Sequence, residues 1–271
     1  MFKKPKIPAL WALMLSLLIF VSCEEDDNAD NPNNNGKATV RFNLTDAPAD
    51  YDAVLIEILE VRVHVGDEDD PADDGPGWVV LDDIHPGIYD LLKLRNGIDT
   101  VLAEDEIPAG KLSQIRLILG DDNSVVVNGV PKELKTPSAQ QSGLKLKVNY
   151  ELEPGLYYEF WLDFDASRSV VEKGNGGYNL KPVIRVFTRN STGAIDGYVD
   201  PVQARPTVMA YNSVDTATAI ADTASGYFLI SGLDAGTYTV EALPVAPFSV
   251  SMKSGIPVSV GNVTRLDTLK F

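Results

Sequence analysis

The sequence predicts an all-β protein: two antiparallel β-sandwich domains in tandem, behind a signal peptide and a disordered tether. Three observations predict it. Apolar and polar residues alternate along short runs, turn residues punctuate those runs, and no helix-length window after Cys23 carries a capped apolar stripe of helical period. The segment Tyr158 to Asp165 shows the pattern at its clearest, with Tyr158, Phe160, Leu162 and Phe164 on one side and Glu159, Asp163 and Asp165 on the other. Side chains of a strand point alternately to its two faces, so this is a half-buried strand. Short strands separated by regular turn signals specify a sandwich or a barrel.

The chain opens with Lys3, Lys4 and Lys6 ahead of the apolar stretch Ala9 to Val21. A helix rising 1.5 Å per residue needs about 20 apolar residues to span a bilayer, so the stretch reads as the h-region of a secretory signal. Ser22 then precedes Cys23, the single cysteine of the chain. Residues 1–22 are therefore expected to be a signal peptide. One cysteine allows no intramolecular disulfide, and the exported body must hold together by core burial. From Glu24 to Gly36 the composition is Asp, Glu, Asn and Pro with a single Ala and a closing Gly, and nothing large to bury. Residues 23–36 form the tether, a self-repelling coil on the order of 20 Å end to end.

From Lys37 the period becomes two. Glu60 to Val65 and Gln114 to Leu119 alternate as Tyr158 to Asp165 does, and Asp122-Asn123, Asn128-Gly129, Pro154-Gly155 and Gly174 to Gly177 mark turns. A seam falls at residues 188–193, which carry no large apolar side chain. Beyond it strands are expected at Ile195–Val199, Thr207–Tyr211, Tyr227–Ile230, Thr237–Ala242, Pro257–Val260 and Val263–Leu269, enough for a small Greek-key sandwich. The body is accordingly divided into domains 37–190 and 191–271.

Charge narrows the partners. The net charge is −16, and removing residues 1–22 takes away three lysines and no acid. Such a surface repels phosphate backbones and anionic lipid, so nucleic acid is not expected as a partner and membrane contact falls to acyl chains.

Several resemblances rest on particular residues. Phe20-Val21-Ser22-Cys23 resembles a relaxed lipobox, which implies diacylglycerol on Cys23. The acidic run behind it is similar to a signal for export to the outer face of the outer membrane. The expected address is the bacterial cell envelope, as an outer membrane lipoprotein, with exposure at the surface if the acidic run is such a signal and not a solvated spacer with no address content. Leu44 to Asp52, Ile107 to Gly110 leading to Gln114 to Leu117, Ser142 to Lys145, Asp163 to Val170, and Leu180 to Ile184 together resemble the family domain of unknown function 4382 over residues 37–188. That resemblance carries no activity with it. Gly193 to Gly197 and Gly226 to Tyr238 resemble the carboxypeptidase regulatory-like module, a transthyretin-like sandwich that is not a peptidase. In it Gly232 and Gly236 are expected to supply backbone angles that a side chain opposes, while Phe228 and Leu233 fill the core.

Catalytic patterns fail. The sequence holds no His-Glu-x-x-His, no Gly-x-Ser-x-Gly and no phosphate-binding glycine loop, and its two histidines, His64 and His85, exclude a multi-histidine zinc site. His64 is expected on the polar, solvated side of its strand. Ser142-Gly-Leu-Lys145 with Lys253-Ser254-Gly255 imitates penicillin-binding motifs, but the serine precedes a strand and the pieces lie in different domains. Asp46, Asp50 and Asp52 cluster in one turn, where Asp46 and Asp50 are read as turn caps, and Asp163 or Asp165 is read as an ion-pair partner of Arg168 or Arg185. No metal and no cofactor is expected, and the protein is read as non-enzymatic. Two classes of function remain: a surface binding or adhesion protein for a glycan or protein ligand, and a structural or accessory spacer in an envelope complex. Trp78, Tyr157 and Trp161 are the candidate ligand-contact aromatics. Thr100, Thr216, Thr223 and Thr268, each between Asp and an apolar residue, resemble a bacterial O-glycosylation signal.

Overall fold

The structure is a computed structural model; it describes residues 36–47, 49–68, 71–73, 75–136 and 143–271. The expected signal peptide, Cys23 and most of the tether lie outside the described residues, as does Ser142. Within the compact unit Asn34–Phe271 the strands build two separate hydrophobic cores, one drawn from Ala38 to Leu180 and the other from Ile195 to Leu269.

Thirteen strands surround the first core: β1 (Lys37–Ala47), β2 (Ala53–Val65), β3 (Trp78–Val80), β4 (Gly87–Asp90), β5 (Thr100–Pro108), β6 (Gly110–Leu119), β7 (Ser124–Val127), β8 (Val130–Lys135), β9 (Leu144–Leu152), β10 (Tyr157–Asp165), β11 (Val170–Glu172), β12 (Tyr178–Leu180) and β13 (Ile184–Phe187). One sheet has the order β13-β10-β1-β5, and the other runs β11-β12-β8-β7-β2-β6-β9 with β3 and β4 also on β2. Strand β2 is long enough to serve four partners along its length: β7 and β4 near its start, β6 and β3 towards its end. The hairpin from β7 to β8 turns at Asn128 and Gly129, both left-handed at φ 52° and 74°. Asn-Gly tolerates those angles, and their twist matches that of the flanking strands.

Alternation places the core. Val40, Phe42 and Leu44 of β1 and Phe160, Leu162 and Phe164 of β10 are fully buried, with Phe42 and Phe160 stacked at 5.3 Å. Each such side chain contributes about 1.5–3 kcal/mol by leaving water. Strands β1 and β10 pair in parallel, Thr39 opposite Tyr157 through Ala47 opposite Asp165. The expected antiparallel sandwich is thus antiparallel in most of its ladders, with parallel exceptions here, between β8 and β12, and between β14 and its neighbours β20 and β21.

The second core lies between β14 (Gly193–Asp200), β15 (Thr207–Tyr211), β16 (Thr216–Ile220), β17 (Tyr227–Leu233), β18 (Gly236–Leu243), β19 (Ser251–Val258), β20 (Val263–Arg265) and β21 (Leu269–Lys270). One sheet is β17-β14-β20 with β21 also on β14, and the other is β16-β15-β18-β19. Phe228 and Leu233 are fully buried there, as the sequence implies. Three expectations are corrected. Strand β19 begins at Ser251 rather than Pro257, the run Val263–Leu269 is broken into β20 and β21, and β16 pairs with β15 although its Thr-Ala-Thr-Ala alternation was not read as a strand. Alanine is too small to make period two visible on a hydrophobic scale. Gly232 does sit at φ 70°, whereas Gly236 is outside the left-handed region and has only ordinary contacts.

Side chains tie the cores together, among them Asn96 and Arg185. Asn96, left-handed at φ 57°, accepts from the Leu229 N–H and donates to the Ile220 carbonyl, so one amide bridges β17 and β16. Arg185 of β13 donates to the carbonyls of Gly232 and Ser231 at 3.2 and 3.0 Å and to Asp163 at 2.6 Å.

Candidate binding site

The outward face of the β13-β10-β1-β5 sheet gathers polar and aromatic side chains in register. Arg41 of β1 lies opposite Glu159 of β10 and Glu104 of β5, and Asn43 lies opposite Trp161. The Arg41 guanidinium reaches Glu104 at 2.5 Å and Glu159 at 3.7 Å, and it stands 5.8 Å from the ring centre of Tyr157. The hydrogen bond to Glu104 raises the Arg41 pKa above its ordinary value. Tyr157 is 47 % exposed.

Farther along β10, Trp161 is only 4 % exposed. Its indole N–H donates to Asp99 at 2.8 Å, Arg189 bonds the same carboxylate at 3.0 Å and covers the indole at 4.2 Å, and Phe187 stacks beside it at 6.1 Å. The expectation that Trp161 offers a ligand-contact surface is corrected: its ring is spent inside the protein. The stack instead forms one wall of a 360 Å³ groove where the two cores meet, lined by Phe187, Arg189, Leu229, Asn262 and Val263 among others. The groove exists because glycines let the chains approach. A Cβ on Gly97 would stand 2.8 Å from Leu229, and one on Gly232 2.5 Å from the Phe187 ring.

Trp78 lies elsewhere, on β3. It is half-buried, wedged between the His64 ring at 5.3 Å and the Arg116 guanidinium at 4.0 Å, and its indole donates to the Ala72 carbonyl. The sequence placed His64 on a solvated face, and the structure buries it to 2 % exposure. The strand face was read correctly, but β3 and the loop before it fold over that face. His64 Nε2 faces the Pro76 carbonyl at 3.1 Å, which can only accept, so Nε2 donates there, and Nδ1 lies 2.8 Å from the Ser113 hydroxyl. Ser113 is buried, and the contact pins β2 to β6. Arg116 and Lys145 both grip Asp73, and the bond from Lys145 holds that carboxylate below the usual range.

The carboxylates behave largely as caps and partners. Asp165 caps the short helix α1 (Ala166–Ser169) by accepting from the Arg168 N–H at 3.0 Å, and Asp163 pairs with Arg185. Asp46 accepts from the Ala166 N–H, while its Oδ2 is buried with no hydrogen-bond partner. Burial pushes the Asp46 pKa well above the ordinary carboxylate value, and the nearby Asp163 and Asp165 add to the shift. Among the described residues no group of three or more acidic, histidine or cysteine side chains is arranged to hold a metal ion. Of the four threonines, Thr216, Thr223 and Thr268 are exposed and Thr100 is half-buried at the start of β5. Thr223 rides on a turn closed by Asp222, whose carboxylate takes the Ser225 and Ala224 N–H groups and is thereby held below its usual pKa.

The three aromatics singled out from the sequence therefore occupy three different environments and make no joint platform. Sequence reasoning missed Arg41, Phe187, Arg189 and Asn96. Only Asn96-Gly97 carried a local signal, an Asn-Gly turn.

A model of the family described as domain of unknown function (DUF4382) matches residues 37–182. The chain belongs to this family. The DUF4382 match ends before β13, so β13 and the second core lie beyond it. No curated protein matches the chain. Among solved structures it is similar to the Bacillus anthracis TIE protein, at 11% identity and a TM-score of 0.24, covering 87% of this chain and 34% of that one. It is also similar to GBS52, the minor pilin of Streptococcus agalactiae, at 12% identity and a TM-score of 0.22, covering 86% and 95% of the two chains. The shaft pilin spaA of Lactobacillus rhamnosus GG aligns at 8% identity and a TM-score of 0.23, covering 87% and 97%. The chain spans about a third of the length of the TIE protein. At these scores nothing about function passes from those proteins to this one.

Proposed function

We propose that this DUF4382 protein is a non-enzymatic envelope lipoprotein that binds a glycan or protein ligand at the cell surface. The observation that carries the reading is the outward sheet face, where exposed Tyr157 and the Arg41 row stand on the same sheet whose β13 supplies Phe187 to the junction groove. A rigid sheet displaying an aromatic, charged forks and a recess has the parts that ligand sites use. The test is a pull-down and a glycan array with residues 37–271. Arg41→Ala and Tyr157→Ala should each reduce capture while still melting cooperatively, and undiminished capture by both would remove the sheet face from the proposal.

Anchoring rests on Cys23, as diacylglycerol attached behind the signal peptide. Cys23→Ala should abolish labelling by a palmitate analogue and release the protein from membranes, because stable attachment takes more than one acyl chain. We also read residues 191–271 as the carboxypeptidase regulatory-like sandwich, supported by the buried Phe228 and Leu233 and by Gly232 at φ 70°.

A second reading, a spacer subunit in an envelope complex, is favoured by β9 and β19. Each is paired along one edge only among the described residues. An edge of that length can accept a strand from a partner. Capture that survives loss of Arg41 but ends when a proline replaces Lys147 in β9 or Ser254 in β19 would support this reading.

A further inference from the structure

A second cleft, of 620 Å³, opens between the two cores, walled by the Asp50-Tyr51-Asp52 turn and Arg95 on one side and by Gln203, Arg205 and Leu243 to Val245 on the other. Part of its polar lining is unspent, although Asp52 accepts from the Gly129 N–H. Among the described residues the side chains of Asp50, Arg95, Gln203 and Arg205 have no hydrogen bond and no ion pair, although the other arginine forks on this molecule, such as Arg41, Arg116, Arg185 and Arg265, are engaged. Two guanidinium groups without a hydrogen bond or close ion pair line this one recess, Arg95 acting on Asp46 and Asp222 through its charge alone. Arg205 in addition sits in the left-handed region at φ 39°, a conformation that long side chains rarely hold.

We propose that this cleft binds a neutral oligosaccharide. A carboxylate and a guanidinium each engage adjacent hydroxyls in pairs, the carboxylate accepting and the fork donating, and the Gln203 amide does both. Leu243 and Val245 are exposed and, with Tyr51, supply the apolar surface that the C–H faces of a sugar ring require. The volume lies within the roughly 300–1,000 Å³ of small-ligand sites, which favour domain junctions. Charge selects the class. Within the cleft Arg95 and Arg205 are balanced by Asp50 and Asp52, and the field of the whole molecule repels anions, so a uronic or sulfated glycan is disfavoured against a neutral one.

The proposal rests on the reading of the chain as a binding protein but places the sugar away from the Arg41 and Tyr157 face. The experiment is isothermal titration of the full chain with neutral malto-, cello- and manno-oligosaccharides, oligogalacturonides and a mixed peptide pool, repeated on Arg95→Ala, Arg205→Ala and Arg41→Ala. A neutral oligosaccharide should bind saturably, and Arg95→Ala and Arg205→Ala should each weaken it by about tenfold or more, the loss of one charge-assisted hydrogen bond, and by more than Arg41→Ala does. Neither cleft arginine makes a hydrogen bond or a close ion pair among the described residues, so their variants should melt close to the parent. Tighter binding of oligogalacturonides would overturn the charge argument. Sugar binding lost in Arg41→Ala and kept in the cleft variants would overturn the site while leaving the proposed function standing. Binding of peptides alone, or of no neutral sugar, would overturn the glycan itself.

Discussion

Gly232→Ala tests how the two cores meet. The residue closes β17 at φ 70°, and its Cα faces the ring of Phe187, so an added Cβ would stand 2.5, 2.7 and 2.8 Å from three ring carbons. The ring cannot step back, because it is buried and stacked against Trp161, itself clamped by Asp99 and Arg189. Two costs follow. Left-handed backbone with a Cβ costs about 1–2 kcal/mol, and forcing carbon into a packed contact costs about 1–3 kcal/mol. The sum, about 2–5 kcal/mol, should appear as a lowered midpoint in urea denaturation with an unchanged slope. A double-mutant cycle separates the parts: in a Phe187→Ala background the clash disappears and about 1–2 kcal/mol of backbone strain remains. Gly174→Ala is the control, with open space and no left-handed angle, and should stay within about 0.5 kcal/mol of the parent. A loss below about 1 kcal/mol for Gly232→Ala, or no coupling to Phe187, would refute the close approach of the hairpin to β13.

The remaining predictions concern charge, aromatics and modularity. Burial raises the Asp46 carboxyl above its ordinary 3.8, so folding favours the protonated form; that contribution is whole below 3.8 and is lost as pH climbs through the folded value. The stability of Asp46→Asn relative to the parent should therefore rise with pH across that window in a urea series, and a pH-independent difference would show that Asp46 is solvated. Trp161→Ala should cost about 3–5 kcal/mol as a large buried aromatic, whereas Tyr157→Ala should cost less than about 1 kcal/mol; equal effects would reverse the assignment of inner and outer rings. Fragments 37–190 and 191–271 should each melt cooperatively on their own core and be less stable than the joined chain, which retains the Arg185 and Asn96 bridges; failure of both to fold would show one indivisible domain. Intact mass after native expression should exceed that of the lipidated polypeptide through glycans on the exposed Thr216, Thr223 or Thr268, and an unmodified mass would dismiss the motif.

The sequence by itself determined the class of fold. Period two in β2, β6 and β10 follows from strand geometry alone, and the Asn128-Gly129 turn follows from the angles its hairpin demands, so both were legible from neighbours along the chain. The DUF4382 stretches and the paired Phe228 and Leu233 were legible for the same local reason. The tertiary structure decided what no local pattern encodes. The parallel partnership of β1 and β10 joins strands more than a hundred residues apart, and nothing within either strand names the other. The burial of Asp163, Asp165 and Trp161 breaks the alternation of β10, because Arg185 of β13 and Thr218 of the second core cover the face that the pattern assigns to solvent. His64 is hidden likewise, under β3 and Pro76. The arginines of the second cleft are invisible in sequence, since an arginine in an ion pair and one facing an open recess are the same letter. Polarity along a strand reports which face is turned away from its own core, and only the packing of the next element decides whether that face meets water.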